Sequence, residues 1–150
     1  MTGRWVRKCV LSLILDTNVL SELRKKRPHP RVTAWFKHER IESCFVSAVT
    51  LGEIEQGIAQ TSDAALGHAL QEWLDGTLLP TFQGRVLSLG ESEMRRWGRL
   101  RGKGFRIGRP VAVTDALLAA TALQHGFTLV TRNVTDFDGL GVRLFNPWTA

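Results

Sequence analysis

Cysteine is scarce in this chain of 150 residues, which carries two, Cys9 and Cys44. Their spacing matches no metal-binding pattern, and two thiols make no disulfide framework. Both fall in apolar, strand-like runs, where a free thiol packs as a small hydrophobe. The expectation is a protein with buried, reduced cysteines in the cytoplasm. Long apolar runs are missing too, since no stretch approaches the ~18 residues of a membrane span. Arg4, Arg7 and Lys8 ahead of Cys9 to Leu15 imitate a signal peptide. The apolar run is too short for one, no small-residue cleavage site follows, and Asp16 interrupts it. Without export, the glycosylation-type Asn133-Val134-Thr135 has no consequence. Low-complexity segments and solenoid-spaced repeats are absent, which excludes repeat arrays. The glycines between Arg101 and Arg109 fit neither G-x-x-x-x-G-K-[ST] nor G-x-G-x-x-G on a strand-to-helix turn, so no nucleotide-binding loop is present. Nor is there an aromatic, base-stacking pattern of the kind that reads nucleic-acid sequence.

Acidic residues are outnumbered, 14 Asp+Glu against 20 Lys+Arg, for a formal net charge of +6. That balance favours a polyanionic partner, nucleic acid first. The length suits one domain over residues 1–150, with residues 1–10 as a loose basic lead-in. A hydrophobic content of 43% and a charged content of 23% describe an ordinary globular chain.

The chain is organised around Leu11-Ser12-Leu13-Ile14-Leu15-Asp16-Thr17-Asn18. A short apolar run ending in polar residues reads as a buried strand. A strand covered by helices on both faces is continuously apolar, and ligands bind outside the carboxyl ends of such strands. Asp16 stands at that end. Further strands are expected at residues 43–47, 85–89, 127–131 and 142–145. Helices are expected from Val19 to Lys26, Val32 to Arg40, Ser47 to Ile58, Asp63 to Leu74 and Glu91 to Arg101. Asp75-Gly76 and Pro80 mark the end of the fourth helix, and residues 101–110 read as a flexible, basic, glycine-rich loop. The clearest helix is Thr114 to His125, capped by Thr114 and stopped by Gly126. Strands alternating with helices imply an α/β/α sandwich with a mostly parallel sheet.

Each acidic residue has an ordinary explanation by itself. Asp16 can cap a helix, Thr50-x-x-Glu53 can be a capping box, Asp115 suits a first helical turn, and Asp136 and Asp138 suit a turn after a strand. Jointly they are harder to dismiss. In a doubly wound fold Asp16, Asp115 and Asp136 can converge, with Glu53 from a neighbouring helix. Clustered carboxylates repel one another unless a divalent cation neutralises them, and oxygen-only ligands suit Mg²⁺ or Mn²⁺ rather than zinc. A hard-metal carboxylate site in a basic chain points to phosphodiester chemistry.

Four stretches then resemble a known family in the right order: Leu15-Asp16-Thr17-Asn18-Val19-Leu20-Ser21-Glu22-Leu23, Ser47-Ala48-Val49-Thr50-Leu51-Gly52-Glu53-Ile54, Asp115-Ala116-Leu117-Leu118-Ala119-Ala120-Thr121-Ala122, and Leu129-Val130-Thr131-Arg132-Asn133-Val134-Thr135-Asp136-Phe137. The chain resembles the PIN-domain ribonucleases, most closely the VapC/FitB-like toxins of bacterial toxin–antitoxin pairs, from about Leu13 to Trp148. The resemblance implies a PIN-like three-layer α/β/α sandwich with five strands in an order like 3-2-1-4-5. It implies a catalytic and metal-binding quartet of Asp16, Glu53, Asp115 and Asp136, with family variation leaving open whether Asn133 or Asp136 completes the site. Thr17, Asn18, Thr131 and Asn133 match supporting polar positions. The activity implied is Mg²⁺-dependent endoribonuclease hydrolysis of RNA, with one or two ions and Mn²⁺ as a substitute. Implied partners are RNA, a VapB-like antitoxin and a second copy of the chain in a homodimer or toxin–antitoxin hetero-oligomer, away from membranes. Trp35, Phe36 and the Leu20–Leu23 face offer either a groove for an antitoxin helix or ordinary core. For the RNA backbone the candidates are Arg24, Lys25, Lys26 and Arg27 on one side and Arg101, Lys103, Arg106 and Arg109 on the other.

Three other readings compete. A haloacid-dehalogenase-type phosphatase needs a second Asp two residues after the first, where Asn18 stands. A non-catalytic nucleic-acid or antitoxin-binding module predicts no metal binding. A PIN-type nuclease of RNA processing, outside any toxin system, shares every motif.

Overall fold

The computed structural model describes residues 11–150; Cys9 and the basic lead-in over residues 1–10 lie outside the described residues. Five strands form one parallel sheet in the order β3-β2-β1-β4-β5: β1 Leu13–Leu15, β2 Cys44–Ser47, β3 Val86–Leu87, β4 Thr128–Val130 and β5 Leu144–Phe145. This is the expected order, and every pairing among the described residues is parallel rather than mostly so.

The central strand explains the layering. Successive side chains of a strand point to opposite faces. Leu13 and Leu15 enter one apolar cluster with Val19, Leu20, Val46 and Val130. Ile14 enters the other, with Leu118, Ala119, Ala122, Leu129 and Phe137. Both faces of β1 are therefore buried, which is why Leu13-Ile14-Leu15 is uninterruptedly apolar. Truncating Ile14 or Leu15, both 0% exposed, would cost roughly 2–5 kcal/mol each.

The helices are α1 Thr17–Arg24, α2 Pro30–His38, α3 Ala48–Gln60, α4 Ala64–Trp73, α5 Leu79–Thr81, α6 Glu91–Arg106 and α7 Val113–His125. α7 is the expected core helix, with Ala116, Leu118, Ala119, Ala120, Thr121 and Ala122 buried, and Gly126 ends it at φ 69°. Its start differs from expectation. Thr114 lies inside the helix, the cap position is Ala112, and no side chain caps it. α3 is capped by Ser47, whose hydroxyl accepts from Val49 N–H at 3.1 Å, and not by a Thr50–Glu53 box. Thr50 is buried with its hydroxyl unpartnered, leaving Glu53 free for other contacts. Asp63 does cap α4, accepting from Leu66 N–H at 3.1 Å.

Two helix ends also move. Asp75-Gly76 and Pro80 do not break the chain out of helix. A wider helical turn over Leu74–Leu78 leads into α5, anchored by buried Leu74 and Leu78, with Pro80 in the first turn of α5 where its missing N–H is harmless. Nor are residues 101–106 loop, because α6 continues to Arg106, and the non-helical connection is confined to residues 107–112. Gly104 is needed there for close approach. Arg109 N–H donates to Gly104 O at 2.8 Å, and a Cβ on Gly104 would lie 2.6 Å from Arg109 O. Cys44 is buried as expected, its thiol donating to Arg40 O at 3.6 Å and burial pushing its pKa up to about 11.

Candidate active site

Asp16 follows β1 directly, and its backbone N–H still donates to Val130 O at 3.0 Å, so the sheet holds it in place. Its carboxylate has two functions at once. Oδ1 caps α1 by accepting from Thr17 N–H at 2.7 Å. Oδ2 accepts from the Thr131 hydroxyl at 2.8 Å and from Asn18 Nδ2 at 3.3 Å. Thr131 is a junction, since its oxygen also accepts from Asn18 Nδ2 at 3.3 Å and Asn133 N–H at 3.0 Å. Asn18 Oδ1 in turn accepts from Arg132 N–H at 3.2 Å. The ends of β1 and β4 are thus tied by side chains beyond the last strand residues. Thr17 reaches the other way and donates to Glu53 Oε1 at 3.1 Å, linking α1 to α3.

Electrostatics binds the acids into one group. Burial pushes the Asp16 carboxyl above its ordinary range, the hydrogen bonds from Thr131, Thr17 and Asn18 oppose this, and the charge of Asp136 adds to it. Glu53 is raised by burial and by the charges of Asp16 and Asp115, against the Thr17 hydrogen bond. Asp115, in the first turn of α7, is raised by burial, Asp136 and Asp16. Among the described residues, no Lys, Arg or His forms an ion pair with any of these four carboxylates. Asp16 is buried, Glu53 and Asp115 are half-buried and Asp136 is exposed, and like charges gathered without a counter-charge are costly in proportion to their burial.

Two cavities meet at Asp115. One, of about 450 Å³, is lined by Asp16, Glu53, Asp115 and Asn133, with Lys25 and Arg132 as its cations. The other, of about 370 Å³, carries Asp115, Asp136 and Asp138 together with Lys103 and Arg109. Asn133 and Asp136 therefore occupy different cavities, joined through Asp115. The donor set is all oxygen, which fits a hard cation. Among the described residues no three acidic, His or Cys side chains draw close enough to enclose a metal ion. The fit is to a hydrated ion such as Mg²⁺, which keeps several waters and takes one or two carboxylates, and not to a dehydrated cage.

The basic candidates separate. Lys25, Lys103 and Arg109 line the acidic cavities, although Lys25 is paired with Glu22. Arg24 faces away, over the Trp73 ring at 6.0 Å. Arg101 is also diverted, donating to Val111 O at 3.2 Å and lying over Trp97. Lys26, Arg27 and Arg106 are exposed and line neither cavity. Sequence reasoning missed Arg132 and Trp148 as cleft residues. Arg132 lay inside a quoted motif, one residue past Thr131, but only the fold reveals that β5 brings Trp148 beside it.

A parallel α/β sandwich with unpaired carboxylates gathered beyond the carboxyl ends of its central strands is an acidic-cleft α/β domain. The chain belongs to the PIN-domain family, whose model matches residues 13–140. It is 35% identical to Toxin FitB of Neisseria gonorrhoeae over 136 residues, covering 91% of this chain and 98% of that protein. It is likewise 35% identical to VapC ribonuclease Y4jK of Sinorhizobium fredii over 136 residues, covering 91% and 97%. Among solved structures it is similar to the crystal structure of FitAcB from Neisseria gonorrhoeae, with a TM-score of 0.84 and 35% identity over 92% of this chain and 99% of that one.

Proposed function

We propose that this protein is the toxin of a toxin–antitoxin pair, a Mg²⁺-dependent endoribonuclease kept silent by a cognate antitoxin in the cytoplasm. One observation carries the reading: Asp16, Glu53 and Asp115 are raised by burial and by acidic neighbours, yet no cation of the described chain pairs with them. Folding has concentrated negative charge in a chain of net charge +6, an arrangement that a divalent ion relieves. Relatives named as a toxin and as a ribonuclease support it.

Asp16 and Asp115 would hold the ion, with Asp136 or Asn133 completing its shell from either side of Asp115. Bound there, Mg²⁺ supplies a lowered water pKa and charge compensation at phosphorus. The chain's own residues do the rest. Thr131, Thr17 and Asn18 fix the Asp16 carboxylate by three hydrogen bonds. Thr17 orients Glu53, whose raised pKa suits it to take a proton from an attacking water. Lys103 and Arg109 flank the second cavity and would hold the RNA backbone on that side.

The antitoxin would occupy a separate apolar cavity of about 190 Å³ lined by Leu20, Leu23, Phe36, Trp73, Leu78 and Phe82. Exposed Phe105, Ile107 and Val113, 84%, 58% and 48% accessible, offer apolar surface to the second copy of a homodimer. The test is cleavage of a panel of tRNAs and mRNAs with Mg²⁺, Mn²⁺ or EDTA, comparing wild type with Asp115→Asn. Cleavage abolished by EDTA and by the substitution is expected. A folded, antitoxin-free wild type that cuts nothing would favour the binding module instead.

A further inference from the structure

The first cavity contains an unused cation. Arg132 stands at the end of β4 among carboxylates, and its guanidinium pairs with none of them. The geometry explains this. The guanidinium lies over the Trp148 ring, 5.4 Å from its centroid, a favourable seat for a cation on an aromatic face. The backbone of Arg132 is fixed from two sides. Its N–H donates to Asn18 Oδ1 at 3.2 Å, and its carbonyl accepts from Asn146 Nδ2 at 3.5 Å. Asn146 Oδ1 accepts from Trp148 N–H at 2.9 Å, so one side chain joins the backbones that carry the cation and the ring. Lys25, the other cation lining this cavity, is already engaged by Glu22.

An arginine kept from nearby carboxylates preserves two capacities. The acids stay available to a metal ion, and the planar fork stays available to an anion. Arginine on an aromatic platform suits bidentate phosphate binding, because less rotamer freedom is lost on capture. We propose that Arg132, positioned by Trp148, binds a backbone phosphate of RNA next to the one presented to the acids, on the opposite side of Asp115 from Lys103 and Arg109. This assigns a substrate-binding residue and extends the ribonuclease reading, on which it rests.

The test is binding of a fluorescent single-stranded RNA in EDTA, where no cleavage occurs, as a function of salt. Arg132→Gln is expected to weaken binding about tenfold and to reduce the slope of log K against log salt by roughly 0.7, the value of one phosphate contact on a single strand. Arg132→Lys should keep the slope and lose only a few-fold, because the charge stays while the fork goes. Trp148→Leu should keep the slope while weakening binding, because the charge is no longer held in place. Arg99→Gln, exposed on α6 and lining neither cavity, should match wild type. With Mg²⁺, Arg132→Gln should raise KM more than it lowers kcat. Wild-type affinity and slope in folded Arg132→Gln overturn this inference and leave the ribonuclease reading standing. A wild type that neither binds nor cuts RNA overturns both.

Discussion

The Thr131 hydroxyl donates to Asp16 Oδ2 at 2.8 Å across the ends of two neighbouring strands. Thr131 is 0% exposed, and the same oxygen accepts from Asn18 Nδ2 and Asn133 N–H. Replacing it with valine keeps the shape but removes the hydroxyl, so Asn133 N–H loses its acceptor and Asp16 Oδ2 keeps only its weaker bond from Asn18. Such losses cost about 1–3 kcal/mol per group. Thr131→Val should therefore destabilise by about 2–3 kcal/mol, and Thr131→Ser by well under half of that. Urea unfolding decides it, and equal midpoints for the two variants would count against the hydroxyl.

The acids set how stability depends on pH. Asp16, Glu53 and Asp115 have folded pKa values raised above their ordinary 3.8, 4.5 and 3.8. A group raised on folding binds more protons folded than unfolded between the two values. Its stabilising share is complete below the unfolded value and is lost as pH rises through the folded one. Glu22, lowered chiefly by its hydrogen bond with Lys25, and Glu93, lowered chiefly by its own backbone N–H, behave oppositely. Their share is present above the ordinary 4.5 and is lost as pH falls through the lowered values. In EDTA, stability should therefore pass through a maximum near the ordinary carboxylate range and decline as pH rises through the raised values of Asp16, Glu53 and Asp115. Asp115→Asn removes one of the raised groups. It should be more stable than wild type at pH 8 and decline less on the way there. Parallel profiles for the two proteins from pH 4 to pH 8 would refute the coupling.

Two glycines of α6 predict opposite outcomes. A methyl at Gly104 would meet Arg109 O at 2.6 Å, whereas nothing lies within 4 Å of one at Gly102. Gly104→Ala must push the chain between α6 and α7 outward, at a cost of about 1–3 kcal/mol. Gly102→Ala places a better helix former in an exposed helical position, which should stabilise by about 0.4–1 kcal/mol. Thermal unfolding of the two single variants is the comparison. A shift of the same sign in both would show that α6 does not hold its last turn as described.

These glycines also show where sequence reading stops. Apolar runs and helix-strand alternation were enough for the layers, because burial of β1 on both faces and of the middle of α7 leaves a direct imprint on composition. The end of α6 was misread because Gly102 and Gly104 resemble loop punctuation, when Gly104 in fact serves a contact with residues five positions on. Thr114 lies inside α7 and does not cap it, for a related reason. Cap chemistry depends on backbone direction at the helix start, which the residue type does not reveal. The acids Asp16, Glu53 and Asp115 were legible because they interrupt apolar segments. Arg132 and Trp148 were not, because their meeting depends on the pairing of β4 with β5, and cation–π seats have no spacing rule.

The same carboxylates predict a response to metal that does not need catalysis. If a divalent ion relieves their repulsion, it must bind the folded state and raise its melting temperature. The gain follows RT ln(1 + [L]/Kd), about 2.7 kcal/mol at a hundredfold excess over Kd. For a chain of this size that is a shift of roughly 5–11 °C. Mg²⁺ or Mn²⁺ added after EDTA should produce it in wild type. Asp115→Asn, which removes the carboxylate shared by both cavities, should start from a higher metal-free melting temperature at pH 8 and respond little to either ion. Differential scanning fluorimetry across a metal titration reads both quantities at once. A wild type indifferent to millimolar Mg²⁺ and Mn²⁺ would remove the metal from the proposal, and a full response in Asp115→Asn would move it to other ligands.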